Sequence, residues 1–139
     1  DNGFIDTGMR DEIVLRGGGF PMFVFGFTGG NQFYDISDAS GTVMTTIPYT
    51  DGGVRVEVTQ TSLATFSVLV ARLVDGTTWN YSGTFVNPIW VDEFAVVNNN
   101  AGFNPSNDFF VNRLAVVPEP SALVALGTAL LGLVRIRRK

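Results

Sequence analysis

The side chains that could carry chemistry in this chain are almost entirely carboxylates. The 139 residues include thirteen Asp and Glu but neither histidine nor cysteine. Imidazole-based triads, thiol nucleophiles and metal sites with His or Cys ligands are therefore excluded. A carboxylate pair of the glycosidase kind remains conceivable, with its groups about 5 to 9.5 Å apart. Asp92 and Glu93 would point to opposite faces of a strand and cannot form such a pair together, so we expect this region not to be an enzyme.

Oxygen ligands are concentrated in residues 35–41, with the sequence Asp-Ile-Ser-Asp-Ala-Ser-Gly. Asp35 and Asp38 are the candidate ligands for Ca²⁺, which takes six to eight oxygen atoms. The same residue types also form Asx-turns without any ion, and this alternative is favoured. We therefore expect no required cofactor.

Aromatic and amide side chains suggest a second kind of site. Trp90 follows Asn87-Pro88-Ile89 in a predicted loop, where its ring could serve as an exposed platform. Asn98, Asn99 and Asn100 open a polar loop whose amides could bind sugar hydroxyls, although most such loops only turn the chain. Trp90 and the three asparagines are thus the candidate glycan-binding residues.

Short strands separated by turns make up the body of the chain, residues 1–116. Valines alternate with polar residues from Val54 to Gln60, which predicts one buried and one solvated face. The same reasoning predicts strands at 22–28, 31–37, 42–47, 54–60, 63–73, 77–86, 92–97 and 108–116. About eight such strands predict an all-β fold, an antiparallel β-sandwich of jelly-roll type.

Residues 117–139 have a different composition. Val117-Pro118-Glu119-Pro120-Ser121 is followed by thirteen uncharged residues, 122–134, and then by a cluster containing Arg135, Arg137, Arg138 and Lys139. A thirteen-residue helix spans roughly 20 Å, which by length alone also suits a core helix. Its apolar residues surround the whole helix, however, and the arginines can extend to lipid phosphates. We therefore predict a single hydrophobic membrane helix with a basic stop.

These C-terminal residues resemble the sorting segment of PEP-CTERM proteins, whose motif falls on Val117, Pro118, Glu119, Pro120 and Ser121. The resemblance implies export across the inner membrane of a Gram-negative bacterium, transient anchoring, and recognition by an exosortase. The cell surface or the extracellular matrix would be the destination, in hosts that usually make exopolysaccharide. The strand pattern of the body is also similar in style to concanavalin-A-like and laminin-G-like jelly rolls.

The charge distribution limits the possible partners. Residues 1–121 hold five arginines against thirteen carboxylates, a net charge of −8, and the tail adds four positive charges. Such a body is not drawn to nucleic acid. Because the chain starts Asp1-Asn2-Gly3 without a signal peptide, we expect strands upstream and an incomplete sandwich here. We interpret the protein as an exported, exopolysaccharide-associated envelope or matrix protein; the alternative is a secreted hydrolase with its catalytic residues upstream.

Overall fold

A computed structural model describes residues 5–49, 52–100 and 110–115 of the chain. Within them lie eight strands: β1 (Arg10–Gly17), β2 (Phe20–Thr28), β3 (Phe33–Asp38), β4 (Gly41–Pro48), β5 (Val54–Gln60), β6 (Thr65–Arg72), β7 (Thr78–Thr84) and β8 (Glu93–Asn99). They form two antiparallel sheets, ordered β4-β3-β2-β1-β8 and β5-β6-β7. The predicted antiparallel β-sandwich is confirmed. The likeness to particular jelly rolls stays a prediction, and the predicted helix at 122–134 lies outside the described residues.

The structure differs from the predicted strands in two places. The strand β1 was not predicted, because four of its eight residues are charged and suggest a solvated segment. The predicted strand at 108–116 is wrong over its described part, since residues 110–115 are exposed and lie in no strand. An alternating apolar pattern is a strand only once its backbone pairs with a neighbouring strand, and in the structure residues 110–115 pair with none of the described strands.

The core lies between the two sheets and is built largely of aromatic rings. The central strand β2 directs Phe23, Phe25 and Phe27 inward, and all three are at most 3% exposed. Across the interface Phe23 meets Phe66 of β6 edge to face, with 4.9 Å between the ring centroids. Phe66 also contacts Phe85, again at 4.9 Å. Edge-to-face and tilted ring packing of this kind stabilises a core beyond the area it buries.

A bulge in β2 changes which residues reach this core. The register between β1 and β2 shifts between Leu15 and Arg16, whose partners are Phe23 and Pro21. Met22, between those partners, is fully buried together with Phe23, and both belong to the core cluster. In a regular strand consecutive side chains would point to opposite faces. The bulge therefore lets two consecutive large side chains enter the core.

The two sheets differ in width, which leaves one side of the sandwich less covered. The edge strand β4 approaches both β6 and β7, so the sheets close together on that side. On the other side the sheets end in β8 and β5. Val96 of β8 shares a face with Ile13, which packs against the core, yet Val96 is 44% exposed. The inner face of the five-stranded sheet is thus partly open to solvent near β8.

Candidate functional site

Trp90 lies in the connection between β7 and β8, at one end of the sandwich. Its side chain is 62% exposed. The turns after β1, β3 and β5 lie at this same end, because their flanking strands pair in antiparallel order. We call it the Trp90 end. Its exposed apolar side chains are Phe20, Leu63, Val86, Ile89 and Trp90.

Hydrogen bonds fix the backbone on both sides of Trp90. The Gln60 side chain donates from Nε2 to the Ile89 carbonyl at 2.8 Å and accepts at Oε1 from the Val91 amide at 3.1 Å. The Asp92 amide donates to the Arg16 carbonyl at 3.0 Å. The Asp92 carboxylate accepts in turn from the Gly18 amide at 3.1 Å. A loop tied in this way to β5 and to the β1–β2 turn has little backbone freedom left to lose on binding.

Gly17 allows the Trp90 loop to lie against the β1–β2 turn. A Cβ atom on Gly17 would be 2.7 Å from the Trp90 carbonyl oxygen and 2.8 Å from Cγ1 of Ile89. Any side chain there would push the loop away. Phe20, which is 66% exposed, is paired directly with Gly17 in the ladder. The close approach therefore brings a second exposed aromatic residue to the Trp90 end.

Sequence reasoning did not identify Phe20 as part of this end. The signal was present in Gly17-Gly18-Gly19-Phe20, where Gly18 and Gly19 both have positive φ and form the turn. A glycine-rich turn between two strands indicates a hairpin, and the first residue after it stands at the sheet's end. The hairpin was missed because β1 was missed.

The three candidate asparagines lie at the opposite end of the sandwich. Asn98 and Asn99 close β8, whereas Trp90 precedes its first residue, Glu93. At about 3.3 Å per residue, the seven residues of β8 separate the two places by roughly 20 Å. Asn99 donates from Nδ2 to Glu12 at 2.9 Å, and Asn100 has a positive φ of 62°. Trp90 and the asparagines therefore do not form one compact site.

Asp35 and Asp38, the candidate calcium ligands, lie on opposite faces of β3. Asp35 is 2% exposed and accepts from both terminal nitrogens of Arg10, at 2.9 and 2.7 Å. The hydrogen bond to Asp35 is the largest cause of the raised pKa of Arg10. Asp38 accepts from the Ser40 amide at 2.7 Å and from the Tyr81 hydroxyl at 3.1 Å. The first aspartate thus joins strands and the second forms an Asx-turn.

The neighbouring carboxylates Asp92 and Glu93, already unsuited to act as a catalytic pair, both have partners within the fold. Asp92 holds Gly18, as described, and Glu93 pairs with Arg16 at 3.0 Å. In residues 5–49, 52–100 and 110–115 there is no group of three or more acidic residues placed to hold a metal ion. Asp92 and Glu93 therefore each have a structural partner, Gly18 and Arg16.

Comparison with known proteins gives one match, in the tail. The family described as the PEP-CTERM protein-sorting motif matches residues 116–139. No curated protein and no solved structure matches the chain. The candidate motif from Val117 to Ser121 and the basic residues Arg135, Arg137, Arg138 and Lys139 fall within the matched range but outside the described residues. Over the residues that are described, no helix is long and apolar enough to cross a membrane. The chain therefore carries a PEP-CTERM protein-sorting motif, which implies an exported protein that is recognised by an exosortase.

Proposed function

We propose that this exported protein is a non-enzymatic component of the cell envelope or extracellular matrix, retained on exopolysaccharide through its Trp90 end. One observation carries the proposal. Trp90 is 62% exposed, on a loop that hydrogen bonds hold in place, and Phe20 is 66% exposed at the start of β2, directly after the turn bonded to that loop. Large aromatic rings that remain in water on a fixed backbone are typical of binding surfaces.

The chemistry of the Trp90 end favours a neutral polysaccharide. An aromatic face packs against the C–H groups of a sugar ring without requiring charge. Arg16, the cation nearest this end in the ladder, is already paired with Glu93. The net charge of −8 over residues 1–121 also repels acidic polymers. Contact through ring faces therefore provides the affinity in this proposal, with hydrogen bonds to the sugar in a secondary role.

The tail completes the proposed route to the envelope. Residues 122–134 would hold the precursor in the inner membrane, and the basic residues from Arg135 would remain on its cytoplasmic side. Cleavage near Pro118 would then release or transfer the body. The body would reach the cell surface or the matrix with its Trp90 end free to meet the polymer.

The test compares Trp90→Ala and Phe20→Ala with a matched control, Leu73→Ala. Leu73 is 61% exposed and lies beyond β6 at the opposite end of the sandwich. Loss of one stacking contact should weaken retention on the host's exopolysaccharide by about two- to tenfold, because such contacts contribute about 0.5–1.5 kcal/mol. All three variants should unfold within about 0.5 kcal/mol of the unaltered protein, since each residue is exposed. Retention of the Trp90 and Phe20 variants equal to that of Leu73→Ala would refute the proposed site.

A further inference from the structure

Residues 110–115 form an apolar segment that the described fold leaves uncovered. Within these six residues Phe110 is 63% exposed, Val111 42% and Leu114 57%. We call residues 110–115 the strap. Single exposed apolar residues are ordinary, but three within six consecutive positions are unusual and need an explanation.

A second uncovered surface lies along β8. Among the described strands, β8 pairs with β1 alone, so one row of its backbone N–H and C=O groups has no ladder partner there. Val96, on its inner face, is 44% exposed. An unpaired edge beside an exposed apolar side chain is a template for another strand.

We infer that the strap docks on the free edge of β8 as a sixth, antiparallel strand of the larger sheet. The side-chain pattern selects a register. With Phe110 opposite Val96, the exposed ring of the strap covers an exposed inward valine of β8. The same register places Arg113 directly opposite Glu93 on the outer face. Opposite charges in directly facing positions stabilise a strand pair.

The connection between the two segments favours the strap of the same chain over that of a second copy. Ten residues separate Asn99, where β8 ends, from Phe110. The cost of closing a loop grows slowly with its length, and a short tether gives a local concentration on the order of millimolar. Chain direction agrees as well, because a segment that turns back after β8 runs antiparallel to it.

Docking of the strap would set how far the sorting motif stands from the body. Sixteen residues lie between Asn100 and Val117, and fully extended they reach up to roughly 55 Å. With the strap docked, Val116 alone separates it from Val117. A membrane enzyme would then meet the motif against the folded body instead of on a long tether. Docking therefore slows cleavage, and release of the strap permits it.

Engineered disulfides test the docked state cleanly, because the chain has no cysteine of its own. In the inferred register Ala95→Cys and Val111→Cys face each other, so the full chain carrying both should crosslink within one molecule. Thr46→Cys with Val111→Cys is the matched control, since Thr46 is an exposed residue on β4, the other edge of the same sheet. We expect the first pair to crosslink at least about tenfold faster, because docking raises the local thiol concentration.

The outcomes separate the alternatives. A third pair, Val97→Cys with Val111→Cys, reports docking shifted by two residues. If neither β8 pair outpaces the Thr46 control, the strap does not dock and the inference is wrong. The alternative result is that disulfides form only between two molecules, and equally well when the two single-cysteine variants are mixed. That result would mean that β8 binds the strap of a second copy, and it would also overturn the inference.

The inferred effect of docking on cleavage by the exosortase is tested separately, with a charge-reversal variant. Arg113→Glu places a like charge opposite Glu93 and should slow the Ala95–Val111 crosslink several-fold. In cells with an exosortase the same variant should be cleaved faster than the unaltered precursor. Arg55→Glu, on exposed β5, is the control for the change in net charge. Cleavage of both variants at the unaltered rate would rule out control of the motif by the strap.

Discussion

The two sheets of the sandwich are joined across their strands by different means. On the larger sheet Arg10 of β1 donates to Thr28 of β2 at 2.7 Å and to Asp35 of β3. Glu12, also on β1, accepts from Asn99 of β8. One polar network thus crosses four adjacent strands. On the smaller sheet the ion pairs Arg55–Glu57 and Arg72–Asp75 stay within one strand or one turn.

This difference shows that charged residues of the same types, Arg with Asp or Glu, have different roles in the two sheets. Gly26 of β2 makes room for the network, since a Cβ atom there would lie 2.9 Å from a terminal nitrogen of Arg10. Asp35 is consequently almost fully buried, whereas the side chains of Arg55 and Glu57 are 60% and 54% exposed. The polar residues stabilise the outer face of the larger sheet and merely solvate that of the smaller one.

The largest effect is expected where the two sheets meet, at Phe66. Phe66→Ala removes a ring that is 1% exposed and contacts Phe23, Tyr81 and Phe85. The cavity should lower the free energy of unfolding by about 3–5 kcal/mol, as measured by denaturant titration. Val58→Ala, a partly buried change at the edge of the same core, should cost about 1 kcal/mol. Two separate unfolding transitions would show that the sheets do not share one core.

An intermediate effect should distinguish the two kinds of ion pair. Asp35→Ala leaves the Arg10 guanidinium without its main partner and should destabilise the protein by about 2–3 kcal/mol, less than for a fully buried pair because Arg10 is 22% exposed. Glu57→Ala, on the smaller sheet, should change stability by less than about 0.5 kcal/mol. Comparable losses in both variants would contradict the contrast between the sheets.

The smallest expected effect is on the pH dependence of stability and comes from Tyr49, which follows β4 and stacks on Phe27. Burial, with the charge of Asp11 adding to it, raises the pKa of Tyr49 from 10.0 to about 12. The folded state therefore holds this proton more tightly than the unfolded state. The stabilisation is fully present below pH 10 and is lost as the pH rises toward 12. Tyr49→Phe should flatten this decline in the thermal midpoint, and an unchanged pH profile would assign the decline to other groups.

The smaller sheet could be predicted closely from the sequence and the larger one only in part. The predicted strand at 54–60 coincides with β5, because valines there alternate strictly with polar residues. In contrast, β1 contains Arg10, Glu12 and Arg16, each of which also has a partner on a strand distant in the sequence: Asp35, Asn99 and Glu93. In the sequence alone, a charged residue that pairs with a distant strand cannot be distinguished from one that is exposed to solvent.

The candidate sites were likewise predictable from the sequence only in part. The sorting motif could be identified fully, since it is a local pattern at residues 116–139. The loop position of Trp90 was also predictable, because Pro88 interrupts the strand pattern there. Its separation from Asn98–Asn100 was not, since that depends on the direction and length of β8. The bonds that hold the Trp90 loop come from Gln60 and Gly18, which no sequence pattern connects to it.

The bulge in β2 also sets how the protein meets oxidants outside the cytoplasm. Met22 is fully buried, and its sulfur lies so close to Gly17 that even a Cβ atom there would be 2.5 Å away. A sulfoxide oxygen has no space in that contact, so Met22 can be oxidised only after the core opens. Met44, 45% exposed on β4, has no such protection and is accessible to oxidants in the folded state. Oxidation of Met44 therefore indicates that an oxidant is present, whereas oxidation of Met22 indicates that the protein has unfolded.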